Sequence, residues 1–341
     1  MAVRECSGGD DQLWGEAMRR FLPLVLLFLL GQCLGGSTPG APSPVVSQRL
    51  TITSTPVLLD SSNPSRRRVG ALTYLGGWKL TSDVRAFGGL SALDVNGNRI
   101  TTVSDIGAII RFRFGRFGAV SNADLKRVPS GCGPVVRKSD NDTESLTHDD
   151  ARQTWWIGME WRNVICRTDG NFSHGKGVAP QEIAGWPKKR GPETLLRLSD
   201  GQFLTIAEQG IDNGAVHPAV LFDRDPVDPT AHPITLGYRP PVGFDPTDAA
   251  QLPDGRILVL NRRFALDSLF TGVLVLLDPS AMKQSDVLTG RVIARFEPPV
   301  ISDNFEGLSI TTENGRLIVW IVSDDNYERW QRTLLLKFVL N

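Results

Sequence analysis

The stretch "FEGLSITTENGRLIVWIVSD" (305–324) decides how the rest of the chain is read. It carries an acid, Glu306, at its start, runs through a short apolar segment and turns at Asn314-Gly315. It then returns through a segment dense in Val, Ile, Leu and Trp and ends on Asp324. An Asn-Gly pair accepts the positive φ of a tight hairpin turn, so the stretch predicts two antiparallel strands with a carboxylate at each open end. Four other stretches repeat the plan: "FGGLSALDVNGNRITTVSD" (87–105), "TESLTHDDARQTWWIGME" (143–160), "PETLLRLSDGQFLTIAE" (192–208) and "TDAAQLPDGRILVLNRR" (247–263). Their turns fall at Asn96-Gly97, Asp149-Asp150, Asp200-Gly201 and Asp254-Gly255.

Counting from position 88 to 144, 193, 248 and 306 gives steps of 56, 49, 55 and 58 residues. That is the size of one four-stranded propeller blade. Further strands fill the gaps: "IIRFRF" (109–114), "NVICRT" (163–168), "AVLFD" (219–223), "GVLVLLD" (272–278) and "RVIARF" (291–296). The last unit ends with "RTLLLKFVL" (332–340), one strand short, while "GALTYLGGWKLTS" (70–82) precedes the first unit without a partner. Pairing these two closes a ring. The chain is therefore read as an all-β, five-bladed β-propeller over residues 46–341, with "DSSNPSRRRVG" (60–70) as an exposed loop. A sixth blade built on "QRLTITSTPVLL" (48–59) is the competing architecture; a β-sandwich gives no reason for a repeat of this length.

In a propeller the first strand of each blade lines the central channel, so equivalent positions face one another across it. One frame reads Gly88, Glu144, Glu193, Asp248, Glu306; a second, at the end of the following strand, reads Asp105, Glu160, Glu208, Arg262, Asp324. An antiparallel hairpin brings both frames to one mouth of the channel. Crowded carboxylates raise one another's pKa and oppose folding unless something positive joins them. A hard cation, Ca²⁺ above all, suits oxygen ligands arriving from separate blades, with Glu144, Glu193, Glu306, Asp324, Asp105 and Glu160 as its ligands. Zinc is disfavoured because His148, His174, His217 and His232 lack its spacing. Asp325 and Asn326 beside Asp324, and Asp212 and Asn213 after Glu208, add oxygen donors in loops at that mouth. The competing reading of each acid is a cap on main-chain N–H groups, and of Arg262 an ion pair that holds blades together.

The remaining composition narrows the class. The chain of 341 residues has 37 Lys plus Arg against 37 Asp plus Glu, which excludes a basic surface for nucleic acid. "MRRFLPLVLLFLLGQCLGGS" (18–37) has the charged, apolar and small-residue regions of an export signal, with Met18 read as the start of the precursor. Its apolar part, Phe21 to Leu30, is too short for a stable membrane span, so the mature protein is expected to be periplasmic or secreted. Lipid attachment at Cys33 is disfavoured by Gln32, which stands where a small residue belongs. Of the four cysteines, Cys132 and Cys166 are the two that remain once the signal is removed, and they form either a disulfide or two buried thiols.

"FGGLSALD" (87–94), "PETLLRLSDGQFLTIAE" (192–208), "PTDAAQLPDGRILVLNRRF" (246–264) and "VSDDNYERWQRTLLLKF" (322–338) resemble the bacterial phytase-like proteins described as carrying an esterase-like phytase domain. The likeness runs from about residue 75 to the C-terminus. It implies a secreted protein whose repeated acids, here Glu144, Glu193, Asp248 and Glu306 with Asp105, Glu208 and Asp324, act on phosphoric esters; Gly88 departs from the pattern. The expected function is thus metal-dependent hydrolysis of a small-molecule phosphoric ester. Asp248 or Glu208 is the proton acceptor, and Arg262 steadies charge on the phosphoryl oxygens. A calcium-dependent lactonase or carboxyl esterase and a non-catalytic binding propeller with structural calcium are the alternatives. The chain has no G-x-S-x-G, which disfavours a serine esterase.

Overall fold

The computed structural model describes residues 47–133, 138–210, 214–278 and 286–341, all within one compact unit, Pro42–Asn341. The segment read as an export signal, Cys33, Asp212 and Asn213 lie outside the described residues. Among the described residues no helix is long and apolar enough to cross a membrane.

Five sheets follow one another along the chain, antiparallel except where Val287–Leu288 adds in parallel to the edge of the third, and each holds one of the five hairpins. The first strands are Leu90–Asn96, Thr143–Asp149, Pro192–Arg197, Asp245–Gln251 and Phe305–Glu313, in blades 1 to 5. Each neighbours the next, and the fifth neighbours the first, so they ring a channel. The turn chemistry sets each hairpin. Asn314 and Gly315 both have positive φ (51° and 72°) and close a two-residue turn between the paired Glu313 and Arg316. In blades 3 and 4 the Asp-Gly pair instead ends a longer loop, with Gly201 and Gly255 at φ 92° and 91°. Blade 2 departs most: Asp149 pairs with Thr154, so its turn is the loop between them and not Asp149-Asp150.

Ring closure follows the expectation. Leu72–Ser82 pairs with Leu334–Leu340 to supply the fourth strand of blade 5. The segment read as a possible sixth blade does something else. Ser47–Leu50 adds to the outer strand of blade 1, Val120–Arg127, and Ile52–Pro56 adds to Leu72–Ser82 of blade 5. One short run of chain therefore joins the outer edges of the two blades that meet at the seam, covering edges that would otherwise stay unpaired.

The apolar core lies in wedges between adjacent blades. Between blades 4 and 5, Phe296, Phe305, Leu334 and Phe338 are fully buried, and such side chains stabilise by about 1.5–3 kcal/mol each. Cys132 and Cys166 form a disulfide, Cα–Cα 5.1 Å, which resolves the two alternatives left by the sequence. It ties the chain leaving blade 1 to the strand Val164–Asp169 of blade 2. Gly175 permits this approach, because a Cβ there would sit 2.7 Å from the Cys132 sulfur.

Candidate active site at the channel mouth

A β-bulge shapes the opening of every blade's first strand. The register slips between Leu90 and Ala92, Thr143 and Ser145, Pro192 and Thr194, Pro246 and Asp248, and Phe305 and Gly307. The extra residue in each case is Ser91, Glu144, Glu193, Thr247 or Glu306. A bulge re-aims the inserted side chain, so these five are the equivalent positions. The sequence frame is corrected at two blades: Ser91 replaces Gly88, and Thr247 replaces Asp248. The match of "GLS" at 89–91 with "GLS" at 307–309 misaligned blade 1, and a bulge cannot be seen in an alternating pattern.

Asp248 consequently stands apart from the other acids. Its carboxylate accepts from the backbone N–H of Ala249 at 2.8 Å and of Leu308 at 2.7 Å, joining blade 4 to blade 5. Burial pushes its pKa well up, and those two amides pull against the shift. Thr247 is likewise structural: its hydroxyl donates to the Phe305 carbonyl at 3.1 Å. The second frame keeps the sequence alignment, because Ser104, Met159, Ala207, Asn261 and Ser323 occupy matching rungs and Asp105, Glu160, Glu208, Arg262 and Asp324 follow them.

Two groups of carboxylates converge on the side formed by blades 2 and 3. Oxygens of Glu160, Glu193 and Glu208 lie within 4.8 Å of one another, and so do those of Asp142, Glu144 and Glu160. Glu160 belongs to both. Glu160, Glu193 and Glu208 are buried, so water screens their repulsion poorly. The Glu160 carboxyl is pushed up to about 10, by burial first and then by Asp142 and Glu208. Burial also raises Glu144 and Glu193 well above the usual carboxylate range, with neighbouring glutamates adding to the shift.

Arg262 governs the other side. Its guanidinium donates to Glu306 and, at 2.7 Å, to Asn304 Oδ1 through Nη1, and to Glu208 Oε1 at 2.5 Å through Nη2. One side chain thus links blades 3, 4 and 5. Burial pushes the Glu306 carboxyl up to about 7, with the Arg262 guanidinium holding it down. Asn304 Nδ2 donates to Asp324 Oδ2 at 3.3 Å, and the Asn326 N–H donates to Asp324 Oδ1 at 2.6 Å. Asp324 is raised well above its usual value by burial and then by Asp105. Asp325 faces elsewhere: it accepts from the N–H groups of Gly89 and Tyr327 and from the Thr333 hydroxyl, and fixes the blade 5 loop against blade 1.

The donor set on the blade 2 and 3 side is carboxylate oxygen throughout, which fits a hard divalent cation and not zinc. No histidine belongs to either group. His148 pairs with Asp94 at 2.8 Å, and the His217 ring lies 3.1 Å from the Ala207 carbonyl. The sequence reading missed Asp142 and Asn304. Both sit just ahead of a first strand, outside the repeated frame, although "DNF" (303–305) and "DTE" (142–144) share a polar residue two positions before the bulge acid.

Comparison with known proteins gives a family but no near relative. No curated protein matches the chain. Among solved structures, it is similar to an α-L-arabinofuranosidase from Clostridium thermocellum ATCC 27405, at 12% identity and TM-score 0.48, over 73% of this chain and 88% of that one. It is also similar to an exo-1,5-α-L-arabinanase from a bovine ruminal metagenomic library, at 11% identity and TM-score 0.44, over 81% and 96%. A third is the PQQ domain of pyranose dehydrogenase from Coprinopsis cinerea, at 12% identity and TM-score 0.40, over 88% and 99%. The family model described as "Esterase-like activity of phytase" matches residues 85–327, a span that holds every acid of both rings. The chain belongs to the Phytase-like family.

Proposed function

We propose that this protein is an exported hydrolase of phosphoric esters that works at the channel mouth with a divalent cation, calcium being the ion best suited to its donors. The observation that carries the reading is the convergence of Glu160, Glu193 and Glu208, buried and with oxygens within 4.8 Å of one another. Such a cluster must take up either protons or a cation. When bound, the ion supplies Lewis-acid polarisation of the phosphoryl group and lowers the pKa of a coordinated water.

The side chains do the remaining work. Glu144, Glu160 and Glu193, with Asp142, hold the cation, while Asp105 and Asp324 extend the acidic rim toward blade 1. Arg262 is braced by Glu208, Glu306 and Asn304, and presents positive charge where charge builds on the phosphoryl oxygens. Asp248 is committed to two amides; of the two glutamates that Arg262 holds, Glu306, whose carboxyl is pushed up to about 7, is the group suited to accept a proton from water. The disulfide supports export to an oxidising compartment.

The test is elemental analysis of the purified protein together with assays on phosphate esters and lactones, with and without chelator. Chelation and Glu193→Gln are each expected to lower phosphate-ester turnover by about 100-fold or more, with calcium restoring the chelated enzyme. Full turnover in chelator, or wild-type rates in both Glu193→Gln and Glu306→Gln, ends the proposal. A second reading, a binding propeller fastened by calcium, is favoured by the cross-blade bracing of Arg262. It predicts a lower melting temperature on chelation and no ester turned over.

A further inference from the structure

The strand that carries Arg262 does not stop at the mouth. It continues as Ile257–Ala265, turns, and returns as Leu269–Leu277, with Arg262 opposite Gly272 and Phe264 opposite Phe270. Side chains two apart share a face of a strand, about 7 Å from each other, so Phe264 extends from the same face as Arg262. That face looks toward blade 5: a Cβ on Gly272 would meet the Phe305 ring at 2.9 Å. Blade 5 answers with Trp330, from the loop that follows Asp324. Trp330 stacks on Phe270 at 6.1 Å and 14°, and Phe270 meets Phe264 at 5.0 Å.

The aromatic group is unusually uncovered. Phe264 is 40% exposed, Trp330 49%, Leu266 70% and Leu269 51%. Leu269 also adopts φ 54°, a left-handed conformation that a bulky side chain seldom takes. The turn thus holds an apolar side chain in water at a conformation suited to glycine, which points to a role outside the fold. Charge argues about the occupant. Arg263 projects to the opposite face, with its guanidinium 5.6 Å from the Phe244 ring. With Arg263 turned to the Phe244 ring, the ledge offers ring faces beside a mouth crowded with acids.

We propose that Phe264 and Trp330 form a stacking subsite for the alcohol portion of the ester, so that the substrate class is a phosphoric ester of a ring-bearing, weakly charged alcohol and not a polyanionic inositol phosphate. This rests on the phosphoric-ester reading of the adjoining site. The ring lies against the aromatic ledge while its single phosphoryl group reaches the acids and Arg262; base or aryl stacking on aromatic side chains is sequence- and substituent-tolerant, so the subsite selects a ring and not one compound.

The experiment measures binding of phenylphosphonate and methylphosphonate by calorimetry in the presence of calcium, beside hydrolysis of phenyl phosphate, ethyl phosphate and inositol hexakisphosphate. The wild-type protein is expected to bind phenylphosphonate about 10-fold more tightly than methylphosphonate. Phe264→Ala and Trp330→Ala each remove that preference, leave methylphosphonate binding unchanged, and raise KM for phenyl phosphate with kcat little altered; Trp330→Phe retains the preference. Equal binding of the two phosphonates, binding of neither, or a preference that survives both alanine variants overturns the subsite. A ring preference that disappears in the variants, in a protein that hydrolyses none of the three esters, upholds the subsite and overturns the hydrolase reading instead.

Discussion

The two sides of the channel mouth solve the same electrostatic problem differently. On the side of blades 4 and 5, Arg262 is built into the wall and neutralises Glu306 and Glu208, with Asn304 carrying the hydrogen bonding on to Asp324. On the side of blades 2 and 3, Asp142, Glu144, Glu160 and Glu193 converge, and Arg262 offsets only part of the upward shift at Glu193. The covalently fixed charge gives one side a permanent partner. The other side keeps its carboxyl pKa values raised, so it either holds protons or takes a counter-charge from solution. The contrast also accounts for the Glu306 carboxyl being pushed only to about 7, with Arg262 beside it, while Glu160 is pushed up to about 10.

The largest expected effect is on the recruited side. Glu160, Glu144 and Glu193 have raised pKa values in the folded chain, so the cation-free native state binds more protons than the unfolded chain. Its stability is greatest below the unfolded carboxylate pKa and falls as pH rises. The slope is about 1.4 kcal/mol per pH unit for each retained proton, or about 4 kcal/mol between pH 5 and 8. Calcium should flatten that decline by replacing the protons. Thermal unfolding across this range, with and without chelator, measures both; a pH-independent melting temperature in chelator would break the distinction between the two sides.

The built-in side is tested by Arg262→Ala. Removing one partner of a buried ionic network costs about 3–5 kcal/mol, and the variant should gain more stability from added calcium than the wild type does. A loss below about 1 kcal/mol with an unchanged calcium response would mean that Arg262 is not the counter-charge of its side. The smallest effect belongs to a residue on neither side. Asp248→Asn deprives one of its two amides of an acceptor and should cost about 1–3 kcal/mol, while turnover per folded molecule stays unchanged. A loss of kcat in a fully folded Asp248→Asn protein would restore this acid to the chemistry.

The boundary between what could and could not be read from sequence runs through the same residues. Hairpins, blade number and the closing strand were legible because turn pairs such as Asn314-Gly315 and the apolar runs are local signals. The second frame of acids was legible because it follows directly from the end of a regular strand. The first frame was readable only in blades 2, 3 and 5. In blades 1 and 4 the inserted residue is Ser91 or Thr247, and an inserted hydroxyl residue leaves no charge to mark it. Asp248 was misplaced by one position, which on a strand means the opposite face. The pairing of Glu160 with both carboxylate groups depends on distances between blades, which no single strand encodes.

The seam in blade 5 has a consequence for biosynthesis. Residues 72–82 emerge from the ribosome long before their partner, 334–340. Until that strand arrives, the blade bearing Glu306 and Asp324 lacks its third strand and cannot attach its fourth, and the ring stays open. A nascent chain therefore lacks an assembled mouth until then, and a chain cut before residue 334 would hold every one of these acids without the closed ring that brings them together.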